Sequence, residues 1–394
     1  MRKTLIILMM AVPLSLHIKA QQRRHEVVGY YPSWKWRTDS HLLTPEKIPF
    51  GMLTIINYAF FYPLPDGSIT GRDSAGDAMI LYPRTELTGK SLSPPLSLTA
   101  LAHRKGVSVL LSIGGWEDSN NFPAVAADSG RRVNFAHSCA DRIREIGFDG
   151  IDIDWEFPGF AEHNGTPSDG RNFVRLLRVL RDTLDILGPA AGRRLLLSAA
   201  LPADRAQALA MEITDVAPLL DFLNIMTYDF YGTWDPHAYH NAPLYAGPGG
   251  DSARTVDGAF RLYNETFGMP ASRINLGVPF YGHTFTGCRE LGGVHGPADT
   301  VHFPAGGAFY YSIAAQIKKF TQHRDERAGV PYLTSREWNL LVSYDDAESV
   351  RRKAHYVLDR AARGLIIWEI TGDYLPDESH PLLEAIDRVF RESH

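Results

Sequence analysis

Apolar residues in this chain gather in short, nearly unbroken runs of strand length, and several of the stretches between them repeat at helical spacing. Eight such runs, at residues 26–31, 52–60, 107–112, 150–155, 194–200, 221–227, 275–281 and 364–369, are read as strands. Near-continuous apolar runs suit parallel strands covered on both faces, so their alternation with helices predicts an α/β fold, a (β/α)8 TIM barrel. The clearest helical repeats lie at 133–146, 169–187 and 382–390, and in the last Leu382, Ile386, Val389 and Phe390 share one face. Between the seventh and eighth strands, residues 287–342 are too many for a barrel connection. Within them Ile313, Ile317 and Phe320 fall in helical register over 312–323, which predicts a small inserted α+β subdomain.

The chain begins with Arg2 and Lys3, an apolar run over 5–16, and Lys19-Ala20 before polar residues. Twelve residues are too few to span a bilayer, and the order of charge is that of an export signal. Residues 1–20 are therefore expected to be a secretory signal peptide. That leaves 21–394 as the barrel, secreted or periplasmic, with no membrane association after cleavage. Only two cysteines are present, Cys139 and Cys288. They make neither a disulfide framework nor a four-ligand zinc site, and Cys139, inside a helical repeat, is expected to be a buried free thiol. The net charge of -5 removes nucleic acid as a partner, while 17 Tyr and 7 Trp suit a groove that stacks on sugar rings. Nothing in the sequence demands more than a monomer.

The fourth run carries the chemistry. Asp152, Asp154 and Glu156 alternate there with Ile151, Ile153 and Trp155. Side chains of a strand point alternately to its two faces, so three carboxyls line one side and three large apolar groups the other. Crowded carboxyls cost desolvation and mutual repulsion, so such a column is better explained by proton handling than by folding. In a barrel of this type functional residues sit at the C-terminal ends of the strands. Those ends carry Tyr30, Tyr31 and Trp34, the run Ser112 to Trp116, Met226-Thr-Tyr228-Asp229, and Trp368, so aromatic and acidic groups converge on one rim.

Together these motifs resemble glycoside hydrolase family 18 chitinases: Asp149, Asp152, Asp154 and Glu156 match the Asp-x-x-Asp-x-Asp-x-Glu signature, Ser112 to Gly115 the Ser-x-Gly-Gly signature, and Met226 to Asp229 the Met-x-Tyr-Asp signature. Gly277 to Gly282, Tyr344-Asp345-Asp346 and Trp368 extend the likeness to the end of the barrel. The resemblance implies cleavage of chitin or chitooligosaccharides beside N-acetylglucosamine with retention, the substrate's acetamido oxygen serving as nucleophile, and no metal or cofactor. It implies Glu156 as general acid and base, Asp154 orienting the acetamido group, Asp152 sharing a proton with Asp154, and Tyr228 binding the acetamido carbonyl. Asp229 would hold the distorted sugar and Trp368 would form its floor. Met226, Tyr30, Trp116, Trp234 and Tyr281 would complete the groove, with Asp149 and Ser112 as supports.

One departure stands out: His283 follows Tyr281-Gly282 where many relatives carry Arg. The inserted subdomain resembles one that deepens the groove in part of the family. Three other functions share these features. They are a chitinase-like lectin that binds glycans without cleaving them, an endo-β-N-acetylglucosaminidase acting on other N-acetylglucosamine glycans, and an enzyme holding magnesium on the three carboxyls. His237 and His240, in a loop context, are read as solvated.

Overall fold

The computed structural model describes residues 25–35, 43–82, 97–304 and 307–393. The expected leader, 1–20, lies outside the described residues. Among the described residues fourteen strands follow in chain order: β1 (Glu26–Pro32), β2 (Ile55–Pro63), β3 (Ile69–Gly71), β4 (Ser108–Gly114), β5 (Gly150–Asp154), β6 (Leu196–Pro202), β7 (Phe222–Met226), β8 (Ile274–Pro279), β9 (Tyr281–Thr286), β10 (Ala308–Phe309), β11 (Thr321–Asp325), β12 (Val330–Ser335), β13 (Leu340–Ser343) and β14 (Gly364–Trp368). Strands β1, β2, β4, β5, β6, β7, β8 and β14 pair in parallel, and because β1 pairs with both β2 and β14 the sheet closes. This is the (β/α)8 barrel that the apolar runs predict.

Alternation along β5 divides the molecule into layers. Ile151, Ile153 and Trp155 face the shell of helices, where the Trp155 ring stacks on Phe122 at 5.2 Å and meets the edge of Phe173 at 5.6 Å. Asp152 is buried on the opposite side of the same strand, as the period of two requires. The preceding helix spans Ser129–Ile146, four residues longer at its start than its apolar repeat, because the Asp128 carboxylate caps it by accepting the Arg131 N–H. It stops at Gly147, whose positive φ of 85° a residue with a side chain rarely adopts. Cys139, on this helix, is buried and free, as is Cys288.

A second sheet, antiparallel and ordered β10-β9-β13-β12-β11, rises from the barrel between β8 and the helix Ala347–Asp359. It begins at Tyr281, within the run assigned to the seventh barrel strand. The helical register expected over 312–323 divides: a helix covers Tyr310–Gln316, one tight turn covers Ile317–Lys319, and Thr321–Asp325 form β11. Ile313, Ile317 and Phe320 still pack on one apolar cluster, which is what their spacing registered. Strand β11 is an edge strand of five polar residues, Thr-Gln-His-Arg-Asp, so no apolar alternation announced it.

The sheet is fastened to the barrel by Tyr344-Asp345-Asp346. Asp345 accepts two bonds of 2.7 Å from the Lys353 ammonium, both side chains being buried, and one of 2.6 Å from Ser349. Asp346 caps the helix Ala347–Asp359 through a capping box with Ser349 and pairs with Arg324 of β11. Among the described residues no helix is long and apolar enough to cross a membrane.

Candidate active site

At the barrel axis Asp152 is fully buried and accepts hydrogen bonds from four neighbours: Tyr30 (2.8 Å) and Ser112 (2.9 Å) on Oδ2, Ser198 (2.6 Å) and Asn224 (3.2 Å) on Oδ1. Burial pushes its pKa up while the four donors draw it back. Both oxygens are engaged by protein donors, an arrangement that suits the ionised form and leaves no proton bridge to Asp154. Tyr30 is correspondingly not a wall of the groove. It is buried beneath it, with its hydroxyl on Asp152 and its ring against the edge of Trp368 at 5.4 Å.

Asp154, one same-face step further along the strand, is the opposite case. It is buried, its Oδ1 has no hydrogen-bond partner, and burial, followed by the charges of Glu156 and Asp152, drives its pKa well above the ordinary carboxylate range. A buried carboxyl left open in this way favours its protonated form and has an acceptor position free for a donor. Glu156, half-buried just beyond the strand, is pushed up to about 8 by burial and then by the charge of Asp229, against the pull of the Trp116 backbone N–H. At neutral pH it therefore carries the proton that a general acid requires.

The backbone around Glu156 is fixed by residues that motif reading did not single out. Ser119 accepts the Glu156 N–H at 2.9 Å and donates to the Gly115 carbonyl at 2.9 Å. His163 reaches the Glu156 carbonyl with Nδ1 at 2.5 Å. Gly114 and Gly115 have positive φ, and a Cβ on Gly114 would stand 2.1 Å from the Asp154 carbonyl, so only glycine lets the end of β4 lie this close to β5. Ser198 and Asn224 had a usable signal, since each is a lone polar residue inside an otherwise apolar strand.

A groove of about 1380 Å³ runs over the carboxyls, and Asp154, Glu156, Met226, Tyr228, Asp229, Trp116, Trp234, Tyr281, His283 and Trp368 all reach it. Trp368 forms a flat platform, stacked on Phe60 at 5.5 Å and 15°. Trp116 and Trp234 are 50% and 62% exposed, which for rings this large marks faces kept free for a ligand. Tyr228 is nearly buried, and burial together with the surrounding carboxyls raises its phenol well above 10, so it is a donor at every working pH. Asp229 adopts a positive φ of 55°, and its N–H donates to Asn241 Oδ1 at 2.8 Å. Its own Oδ1 receives Tyr281 and His283, each at 2.7 Å.

The remaining expected residues fall outside the groove. Asp149 accepts the Val109 N–H (2.7 Å) and meets His103 and Arg193, both at 2.8 Å, as a support at the start of β5. His240 is not solvated. It is buried against Asp325 at 3.3 Å, because the long loop after β7 folds under the inserted sheet. Among the described residues no group of three His, Cys, Asp or Glu side chains is placed to hold a metal.

The family model described as glycosyl hydrolases family 18 matches residues 26–373. Chitinase A1 of Niallia circulans is 30% identical over 400 residues, covering 89% of this chain and 56% of that protein, so the chain spans little more than half of that relative. Chitotriosidase-1 of Mus musculus is 34% identical over 381 residues, 92% of this chain and 77% of that one. Among solved structures, a mutant of the Ostrinia furnacalis group II chitinase catalytic domain 2, in complex with penta-N-acetylchitooctaose, superposes with a TM-score of 0.81 at 28% identity. The superposition covers 94% of this chain and 97% of that one.

Proposed function

The chain belongs to glycosyl hydrolases family 18, and from that premise we propose that it is a retaining chitinase that hydrolyses β-1,4-linked N-acetylglucosamine chains with the help of the substrate's own acetamido group. The observation that carries this reading is Glu156, its pKa raised by burial, beside a buried Asp154 whose Oδ1 has no partner, beneath a groove of flat aromatic faces. The sugar to be cleaved lies on Trp368. Its acetamido N–H fills the vacancy at Asp154 Oδ1, and the Tyr228 hydroxyl donates to the acetamido carbonyl, which turns that oxygen toward the anomeric carbon.

Glu156 then gives its proton to the glycosidic oxygen as the C–O bond breaks, and the acetamido oxygen closes on the anomeric carbon to form an oxazolinium-like intermediate. As positive charge develops on that group, the bond from its N–H to the Asp154 carboxyl oxygen strengthens. The Glu156 carboxylate next takes a proton from water, which attacks the anomeric carbon and reopens the ring, so two displacements give net retention. Asp152, engaged by four donors, serves as a fixed neighbour whose charge keeps the proton on Asp154.

The inserted sheet contributes Tyr281, Gly282, His283 and Phe309 to the groove, which supports a role for it as a wall that deepens the binding site. The basic, apolar and polar order of residues 1–20 supports export. Turnover of a fluorogenic chitobioside by the wild type, lost in Glu156→Gln, tests the enzymatic reading. A folded wild type that binds chitooligosaccharides without turning them over would instead be a lectin.

A further inference from the structure

One side chain joins the proton donor to the aromatic face beside it. His163 is buried, does not line the groove, and stands on a short turn, Ala161–His163, in the loop that follows β5. Its Nδ1 lies 2.5 Å from the Glu156 carbonyl, and a carbonyl oxygen only accepts, so Nδ1 carries the hydrogen. Because the Ser119 hydroxyl accepts the Glu156 N–H, the backbone of Glu156 is held from both sides. The same imidazole meets the Trp116 ring edge-to-face at 4.6 Å and Phe160 at 5.2 Å, and Phe160 closes the cluster on Trp116 at 5.4 Å. Trp116 is half exposed and lines the groove, so this cluster supports a ring whose remaining surface is open to a ligand.

The loop holds the imidazole in that place. Asp169, at the start of the helix Asp169–Ala191, accepts the Gly159 N–H (3.1 Å), the Thr166 N–H (2.8 Å) and the Thr166 hydroxyl (2.7 Å), which clips the two ends of the loop together. Within it the N–H groups of His163 and Gly165 both donate to the Phe160 carbonyl, at 3.0 and 2.9 Å. A Cβ on Gly165 would stand 2.3 Å from the Phe160 backbone nitrogen, so a larger residue would force the turn open. Asn164 reaches across to the Asn120 carbonyl at 3.3 Å, beside Ser119.

We propose that His163 is a positioning residue that sets the platform for the leaving sugar, Trp116, in register with the proton donor, Glu156. This rests on Glu156 being the general acid. The Trp116 backbone N–H donates to the Glu156 carboxyl, so a sugar stacked on the Trp116 ring lies next to the acid, across the scissile bond from the sugar on Trp368. Proton transfer to the glycosidic oxygen requires the leaving sugar and the carboxyl to be held in one geometry. His163 acts on each through a different part of its side chain, Nδ1–H on the acid and the ring on the platform. Substitution can therefore separate the two.

The test compares His163→Asn, whose amide nitrogen can replace Nδ1 but which has no ring, with His163→Phe, which keeps a ring and has no donor. Steady-state kinetics are measured on chitotetraose, whose sugar leaving group needs the proton, and on a fluorogenic chitobioside, whose aryl leaving group departs with less need of it. His163→Phe is expected to lower kcat on chitotetraose by about tenfold, with a much smaller loss on the fluorogenic substrate and little change in KM. His163→Asn is expected to raise KM for chitotetraose by about threefold to tenfold while keeping kcat. Parallel losses of kcat and KM in both variants on both substrates would mean a merely structural role and overturn the proposal, as would wild-type kinetics in both. Ring 15N chemical shifts of His163 provide a readout independent of turnover. A hydrogen on Nδ1 supports the pairing with Glu156, and a ring hydrogenated at Nε2 alone overturns it even if the wild type cleaves neither substrate and the functional reading fails.

Discussion

Two of the regions that bury carboxyl groups do so in opposite ways. Beneath the inserted sheet, Asp345 meets the Lys353 ammonium with both oxygens and Ser349 with one, so charge is matched by charge. Burial pushes Asp345 up and Lys353 down, and each partner draws the other back toward its charged form. At the end of β5, a buried Asp154 and a half-buried Glu156 lie beside further acids without a cation, and Asp154 Oδ1 has no partner at all. The first arrangement fixes the position of one element on another. The second leaves protons and an acceptor unspent, which has a use only when a ligand arrives. The difference separates structural from chemical carboxyls more sharply than burial does, since Asp152, Asp154 and Asp345 are all buried.

Removing the proton donor should have the largest effect. Glu156→Gln is expected to lower kcat by about 10³- to 10⁴-fold with the fold intact, measured by turnover of a fluorogenic chitobioside alongside circular dichroism. Breaking the matched pair comes next: Lys353→Met leaves Asp345 buried and alone, and should cost about 3–5 kcal/mol in denaturant unfolding. If the two regions were equivalent, Glu156→Gln would cost stability as well. Asp154→Asn keeps the shape but can turn an amide donor toward the acetamido N–H in place of the carboxyl acceptor, and a fall in kcat of about 10²-fold is expected, with a smaller change in KM.

The smallest effect carries the sign that distinguishes the regions. Burial and then the charge of Asp229 push Glu156 up to about 8, so ionising it costs the fold. That penalty is absent below the ordinary glutamate range, grows as pH rises and is complete above about pH 8. Glu156→Gln should therefore be more stable than the wild type at pH 9 and equal to it near pH 4. Thermal unfolding at the two pH values measures this, and an equal difference at both would remove the claim that Glu156 is held protonated. Activity should fall through the same range as the acid is lost.

Much of this was legible in the sequence, for a physical reason. Barrel strands are covered on both faces, so their apolar runs stand out, and β5 advertised its inner face because acids alternate with Ile151, Ile153 and Trp155. Edges and supports were less visible. Strand β11 is polar throughout, so it gave no alternation, and the helical spacing of Ile313, Ile317 and Phe320 extended one element across three. Tyr30 lies at a strand end, where a groove residue was expected, but its hydroxyl had a buried carboxylate to satisfy and turned inward. Ser119, His163 and Asn241 act through backbone groups of Glu156 and Asp229, and single side chains of that kind in loops leave no periodic trace.

The central claim is that the column of carboxyls serves a nucleophile supplied by the substrate. The anomeric form of the first product, followed by proton NMR during the opening minutes of chitooligosaccharide hydrolysis, tests it most directly. Two displacements predict that the β-anomer forms first and mutarotates afterwards. The α-anomer as the initial product would mean direct attack by water, and would contradict the roles assigned to Asp154 and to the acetamido group.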